Sequence, residues 1–232
     1  MTQKVDIKRL QISTDKKNLV DLCFDIDEAT ALIGQSGSGK SLTLKSILNL
    51  LPSNLKLDFE VDSPFELNSN TIGFIPQNPF TSLSPMTKIK NQFFCSDEKK
   101  EHLMQFVGLD KKLLERFPNQ LSGGQLQRAV IAIAFSNDIK LLLLDEPTTA
   151  LDEKSKQTIL NLLHDLQKKL NFLTLFVTHD INSIKNICKN IVIIKDGKVI
   201  EKGDTKSILS NPKTSYTKEL INSTFENKEF RK

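Results

Sequence analysis

No stretch of this chain stays apolar for the roughly 18–20 residues that a bilayer-crossing helix requires. Any membrane role is therefore expected to be peripheral. The opening Met1-Thr2-Gln3-Lys4-Val5-Asp6 lacks an apolar signal region. Cysteine is scarce. Cys23, Cys95 and Cys188 stand far apart, and no two have the spacing of a zinc or iron–sulfur ligand pair. Each thiol reads as a small buried or half-buried hydrophobe, which suits a reducing cytoplasm. Dense basic runs are missing too. A net charge of +4 over 232 residues permits contact with an anionic membrane surface but does not argue for nucleic acid. Internal repeats and low-complexity linkers are absent. The charged fraction of 26% and apolar fraction of 38% are those of a globular protein. The length allows one large domain or two small ones, with a sizeable core.

Against these absences stands one dense motif. Ala29-Thr30-Ala31-Leu32-Ile33 reads as a strand, Gly34-Gln35-Ser36-Gly37-Ser38-Gly39-Lys40-Ser41 as a tight turn, and Leu42 to Leu51 as a helix. Strand, glycine-rich turn and helix in this order form the context of a phosphate-binding P-loop. Glycines let the backbone wrap an anion without a Cβ in the way. The N–H groups of the loop and the helix N-terminus then face the phosphates. Lys40 is expected to reach the β- and γ-phosphates, and the Ser41 hydroxyl to hold Mg²⁺. The motif is shared by unrelated NTPases, so it does not name a function by itself.

Along the rest of the chain, Val5–Ile12 and Leu19–Ile26 read as strands, with a less regular one around Lys56–Val61. Thr71–Ile75 is a strand stopped by Pro76, and Pro79 and Pro85 mark a loop after it. Between about Met86 and Phe135 the pattern turns helical. It includes an amphipathic helix over Glu101–Val107 closed by Gly108, a short helix over Lys111–Phe117, and a buried helix over Ala129–Phe135. Leu141–Leu144 is a continuous apolar run, as a central parallel strand is, and Phe172–Val177 reads as another buried strand. Ile159, Leu162, Leu163, Leu166 and Leu170 fall on one helix face. Ile184, Ile187 and Cys188 suggest another helix. Asp196-Gly197 between two apolar runs predicts a hairpin. From Asn211 onward the chain is polar and reads as a helix with a frayed tail.

Leu141-Leu142-Leu143-Leu144-Asp145-Glu146-Pro147 sets two carboxylates at the C-terminal end of a buried strand, the end where ligands sit in such sheets. Asp145 is placed to hold Mg²⁺ through water, and Glu146 to orient or deprotonate an attacking water. Leu121-Ser122-Gly123-Gly124-Gln125 is a second capped, glycine-rich helix start, and so a second anion site. One nucleotide does not use two distant sites of this kind in one subunit. They make sense if Ser122, Gly123 and Gly124 complete the site of a partner subunit.

The P-loop, then Leu121–Gln125, then Leu144-Asp145-Glu146-Pro147, then Thr178-His179-Asp180, in this order and over about Val5 to Leu220, resemble an ABC-type ATPase subunit. The resemblance implies an α/β fold. It would be a P-loop NTPase core with a mixed sheet, an N-terminal antiparallel β subdomain and an inserted α-helical subdomain at about 86–135, in a single domain over 1–232 with a polar tail at about 211–232. By resemblance, Gln77 contacts Mg²⁺ and senses the membrane partner, Ala150-Leu151-Asp152 crosses a dimer interface, and His179 contacts the γ-phosphate. The ATP-binding set is Gly34 through Leu42. His102 and His164 lack such support and read as helix-surface residues. The family stacks adenine on an aromatic residue of the first hairpin, whereas Ile12–Leu22 holds none and the only tyrosine is Tyr216.

Gln77–Pro85, Ser41-Leu42-Thr43 and the ending Asn211–Ile221 are similar to the peptide and nickel importer group. The short C-terminal end, without a cysteine-rich tail, points to the nickel or metal-chelate type. The implied activity is ATP hydrolysis that energises a bacterial importer of nickel, metal chelates or oligopeptides. ATP and Mg²⁺ would be held between two ATPase subunits on the cytoplasmic face of the membrane. The implied partners are a second ATPase subunit, two permease subunits and, indirectly, an external binding protein, with no nucleic acid. The alternative is a soluble ABC-type ATPase acting on nucleic acid or ribosomes. The long coiled coil of repair members and the paired halves of translation members are both missing. A guanine-nucleotide switch ranks last, because no Asn-Lys-x-Asp motif follows the P-loop.

Overall fold

A computed structural model describes residues 4–149 and 151–226. Its elements in chain order are β1 (Lys4–Ser13), β2 (Asn18–Asp27), β3 (Ala29–Ile33), α1 (Lys40–Ile47), β4 (Lys56–Asp62), β5 (Ile72–Ile75), α2 (Asp97–Phe106), α3 (Gly123–Ala134), β6 (Leu141–Asp145), α4 (Glu153–Leu170), β7 (Leu173–Thr178), α5 (Ile181–Ile184), β8 (Asn190–Lys195), β9 (Lys198–Asp204), α6 (Thr205–Ser210) and α7 (Ser215–Glu226). Two compact units result. The first joins the chain up to Asn68 to the chain from Leu173 onward, and the second is Ser69–Phe172. The class is mixed α/β, with antiparallel N-terminal strands and a helix-rich insertion, as the sequence leads one to expect. Ala150 and residues 227–232, which belong to the expected interface loop and tail, lie outside the described residues.

In the first unit the strands run β4-β1-β2-β9-β8-β3-β7. β1 is antiparallel to β2 and β4, while β3 runs parallel to both β7 and β8. Every residue of β3 and β7 is buried, because a parallel strand is covered on both faces. β8 and β9 form the expected hairpin. Its turn has φ 49° at Asp196 and φ 75° at Gly197, the double left-handed geometry whose twist matches the flanking strands.

α1 stops four residues before the Leu51 expected from sequence. Asn49 turns left-handed (φ 56°) and donates to the Ser46 carbonyl at 3.1 Å, and Leu50 donates to Lys45 at 2.7 Å. This pair of bonds closes a helix end with its last carbonyls satisfied. α5 is a single turn that does not reach Ile187 or Cys188, and α6 has no counterpart in the sequence reading. α7 is not polar all round, since Tyr216, Thr217, Leu220 and Ile221 are buried.

In the second unit β5 and β6 are parallel. α2 starts at Asp97, earlier than periodicity suggests, because the Ser96 side chain caps it by accepting from Lys99 N–H. Lys111–Glu115 is a 3-10 turn rather than an α-helix, nucleated by Asp110 accepting from Lys112 N–H at 2.8 Å. α3 buries Leu126, Ala129, Val130, Ile131 and Ala132, and the rings of Phe135 and Phe172 meet edge-on at 5.1 Å. His102 is exposed and His164 half-exposed, as expected of helix-surface residues.

Candidate functional site

The P-loop leaves the C-terminal end of buried β3. Gly37 (φ 81°) and Gly39 (φ 106°) take left-handed conformations that a side chain would oppose. At Gly34 the constraint is space, because a Cβ there would strike the Ile194 carbonyl and the Ser38 hydroxyl. Gly39 is the N-cap of α1 and offers no side-chain cap, and an uncapped helix start is a place where an anion can be met. Lys40 is buried, and its Nζ donates to the carbonyls of Gly34 (2.6 Å) and Gln35 (3.0 Å). The Ser38 hydroxyl is buried without a hydrogen-bond partner. A buried hydroxyl of this kind costs free energy until it is satisfied, and a phosphate oxygen in the loop would satisfy it. Ser36, Ser41 and Leu42 are exposed or half-exposed along the same curve.

The outer side of the loop is held by the β8–β9 hairpin. Gly197 N–H donates to the Ser38 carbonyl at 3.1 Å, and the Gly197 carbonyl accepts from Asp21 N–H at 2.7 Å. Gln35 N–H donates to the Tyr216 hydroxyl at 3.2 Å. Sequence reasoning missed Tyr216 as a neighbour of the loop. The only signal was that this sole tyrosine stands apart from the hairpin where an aromatic was sought.

β7 carries His179 to the same end of the sheet. Thr178 pairs in register with Ile33, so the exposed His179 follows β7 where Gly34 follows β3. The Thr178 hydroxyl accepts from Asp180 N–H at 3.0 Å and fixes the turn.

The second unit gathers the remaining residues in two groups. Ile75 of β5 pairs with Leu144 of β6, which brings the strand ends together. Gln77 Nε2 donates to Glu146 Oε2 at 3.2 Å, and the Thr149 hydroxyl donates to the same oxygen at 3.1 Å. Glu146 is left-handed at φ 46°, a conformation a non-glycine residue adopts at some cost in strain. Asp145 is half-buried one residue earlier. Thr149 is a further residue the sequence reading did not single out.

The other group lies at the starts of α3 and α4. Ser122 Oγ accepts from Gln125 N–H at 3.3 Å, and Gln125 Oε1 accepts from Ser122 N–H at 3.0 Å, a reciprocal capping box. Leu121 is buried beneath it. Asp152 caps α4, accepting from Ser155 N–H at 3.0 Å and Ser155 hydroxyl at 2.7 Å. These bonds, the hydroxyl one foremost, hold its carboxyl below the ordinary aspartate value. A Cβ on Gly124 would touch the Ser155 hydroxyl, so the two helix starts adjoin.

Of the expected magnesium ligands, Ser41, Gln77 and Asp145 offer a hydroxyl, an amide oxygen and a carboxylate. These are the hard oxygen donors Mg²⁺ prefers, supplemented by phosphates of a bound nucleotide. Among the described residues no group of three or more His, Cys, Asp or Glu is arranged to hold a metal by itself, and no helix is long and apolar enough to cross a membrane.

A family model described as ABC transporter matches residues 18–149. The chain is 34% identical over 231 residues to the oligopeptide transport ATP-binding protein OppD of Lactococcus lactis subsp. cremoris, covering 88% of this chain and 68% of that one. It is 36% identical over 236 residues to the methionine import ATP-binding protein MetN of Streptococcus pyogenes serotype M3, covering 89% and 66%. The chain thus spans about two thirds of the length of these relatives. Among solved structures, the dimeric post-hydrolysis state of the ATP-binding cassette MJ0796 bound to ADP and Pi aligns with TM-score 0.70 and 27% identity over 87% of this chain and 98% of that one. CbiO1 of Clostridium perfringens, part of the complex cbiONQ, shares the fold with TM-score 0.77 at 24% identity, over 98% and 97% of the two chains.

Proposed function

The chain belongs to the ABC transporter family, as an ATPase coupled to transport, and from this premise we propose that it powers a bacterial importer of oligopeptides by closing head to tail with a second ATPase subunit over two ATP molecules. Gly34 to Leu42 hold the phosphates, with Lys40 supplying positive charge at the β- and γ-phosphates. Ser41, Asp145 and Gln77 would hold Mg²⁺, which would supply positive charge to offset that of the phosphates. Glu146 accepts the proton of the attacking water, with Gln77 and Thr149 orienting its carboxylate through the bonds at 3.2 and 3.1 Å. His179 contacts the γ-phosphate. Leu121 to Gln125 serve the partner's ATP, with Asp152 beside them at the interface.

The observation that carries this reading is the pairing of an uncapped α1 with a buried, partnerless Ser38 hydroxyl inside the glycine turn. Both want an anion. Membrane subunits are supported by the surface that follows Gln77. Phe80, Met86 and Phe94 are exposed, and a groove of about 450 Å³ lined by Phe74, Pro76, Thr81, Leu83, Phe94 and Val130 adjoins them. Apolar exposure on this scale is the mark of a docking face. The chain would then sit peripherally on the cytoplasmic face. The relatives, named for oligopeptide and methionine import, favour peptide or amino-acid cargo and give nickel no support.

The test is a chromosomal Glu146→Gln strain. It is expected to lose uptake of a labelled oligopeptide while nickel uptake continues. Loss of nickel uptake alone would restore the metal reading. Affinity purification of the tagged chain is expected to recover two integral membrane proteins, whereas recovery of ribosomal proteins or DNA would favour the soluble alternative.

A further inference from the structure

The chain's single tyrosine lies 181 residues from Gln35 in sequence, yet its hydroxyl accepts the Gln35 N–H at 3.2 Å. The same hydroxyl donates to the Ile194 carbonyl at 3.5 Å. The ring is buried, with Lys195 Nζ 4.8 Å from its centroid. The bond from Gln35 is the shorter of the two, and the second, long for O–H···O, only biases the hydroxyl toward Ile194.

The Gln35 N–H and the Gly34 carbonyl belong to one peptide plane. In a trans peptide they point in opposite directions. Holding the N–H toward Tyr216 therefore aims the Gly34 carbonyl away from it, and that carbonyl receives Lys40 Nζ at 2.6 Å. A pin on one edge of the plane thus sets an acceptor on the other.

Helix α7, which carries the tyrosine, is itself anchored. The buried Glu201 carboxylate accepts from Lys213 N–H at 3.0 Å and Thr214 N–H at 3.4 Å. The Thr214 hydroxyl accepts from Thr217 N–H at 3.1 Å. Burial alone would raise the Glu201 carboxyl. The bonds from Thr217, Lys213 and Thr214 outweigh it, so the carboxyl stays below its ordinary value and charged.

We propose that Tyr216 is a positioning residue for nucleotide binding, acting through the Gly34–Gln35 peptide on Lys40, so that α7 sets the affinity of the P-loop for the terminal phosphates. This rests on the reading of Gly34–Ser41 as the ATP site.

The test is Tyr216→Phe in the full chain, which keeps the ring beneath Lys195 and removes only the hydroxyl. Three quantities are measured: the melting midpoint, calorimetric affinity for ATP and ADP, and hydrogen exchange of a peptide spanning residues 33–40. The expected result is a midpoint lowered by no more than about 2–4 °C, faster exchange confined to that peptide, and ATP binding weaker by about two- to tenfold, the size of one neutral hydrogen bond. ADP should lose less than ATP, because Lys40 acts at the β- and γ-phosphates. Unchanged ATP affinity with unchanged exchange overturns the proposal. So does a midpoint lowered beyond that range with exchange raised throughout the first unit, which would be ordinary destabilisation.

Should Tyr216→Phe fail to fold, Glu201→Gln keeps the tyrosine and loosens its anchor. A smaller change in the same direction supports the proposal, and no change overturns it. If the unaltered chain binds no ATP, the ATP-site reading falls. The pin is then judged by exchange alone, with acceleration at 33–40 supporting it and its absence overturning it.

Discussion

α1 and α3 both start at a glycine-rich turn and both are expected to face phosphate, yet they begin differently. Gly39 caps α1 without a side-chain hydrogen bond, and the turn is clasped from outside by Gly197. Ser122 and Gln125 close a box over the start of α3, where each serves the other's backbone. On the proposed reading the first helix start is an anion site that needs no rearrangement of a side-chain cap. The second is satisfied by its own chain until a better acceptor arrives. A phosphate carried in by a partner subunit would be such an acceptor. An ATP-binding half that is always ready and a partner-facing half that is ready only on contact would keep hydrolysis conditional on assembly.

The largest way to break this comparison is to remove the ligand from the ready site. Lys40→Ala should abolish ATP binding while the chain stays folded, because Nζ serves the loop's carbonyls and the ligand rather than the apolar core. Calorimetry that finds ATP affinity unchanged in the folded variant defeats the assignment.

Next in size is the pair Glu146→Gln and Ser122→Arg. If Glu146 is the general base proposed above, its loss should slow turnover about 10²–10⁴-fold and leave an ATP-bound dimer that light scattering detects. Adding Ser122→Arg should dissolve that dimer, since a bulky cation opposes the helix dipole and blocks the phosphate. A dimer that persists in the double variant would mean that α3 does not meet a partner's nucleotide.

A subtler contrast sets Ser122→Ala against Ser41→Ala. Loss of a serine cap costs about 1 kcal/mol, so Ser122→Ala should lower the melting midpoint. Ser41 caps nothing in α1, so Ser41→Ala should leave the midpoint alone and weaken only Mg²⁺-dependent ATP binding. Equal shifts in the two midpoints would erase the distinction.

Acid titration probes the neighbouring cap of α4. Asp152 has a folded value below its ordinary 3.8. Its stabilisation is therefore complete above that ordinary value and is lost as pH falls through the depressed folded one. Stability curves of Asp152→Asn and the unaltered chain should converge at the acid end. A gap that stays constant down to pH 2 would show that the carboxylate charge is irrelevant.

The smallest expected effect concerns the base. Stacking on an aromatic ring is worth about 1–3 kcal/mol in nucleic-acid binders. Without a ring between Ile12 and Leu22, ATP and GTP should compete nearly equally. A strong preference for ATP in competition binding would reveal another base reader.

Features fixed by neighbours in sequence were legible in advance. The glycine turn, the Asp196-Gly197 hairpin and the apolar strands β3, β6 and β7 all emerge where local pattern puts them. What escaped was set at a distance or by a single side chain. Ser96 starts α2 early, Asn49 ends α1 early, and Asp110 tightens a turn to 3-10, each a local cap that periodicity does not register. Glu28 adopts φ 43°, where a glycine would be expected. Its carbonyl is tied to Thr174 N–H at 2.7 Å and its carboxylate to Lys189 at 3.0 Å, which also raises the lysine. Around the site, the P-loop was legible from its residues alone. The bonds of Tyr216 to Gln35 and of Thr149 to Glu146 were not, because no spacing rule encodes a contact made by tertiary packing.

The three thiols give the molecule a built-in footprint of its own opening. Cys188 is buried, and burial raises its thiol above the ordinary value, while Cys23 is exposed and Cys95 is intermediate. Alkylation requires the thiolate and access to it, so a brief pulse of iodoacetamide should mark Cys23 at once and leave Cys188 silent. Cys23 and Cys188 belong to the first unit and Cys95 to the second. The order in which peptide masses shift under rising denaturant would therefore tell which unit yields first, with no residue added to the chain.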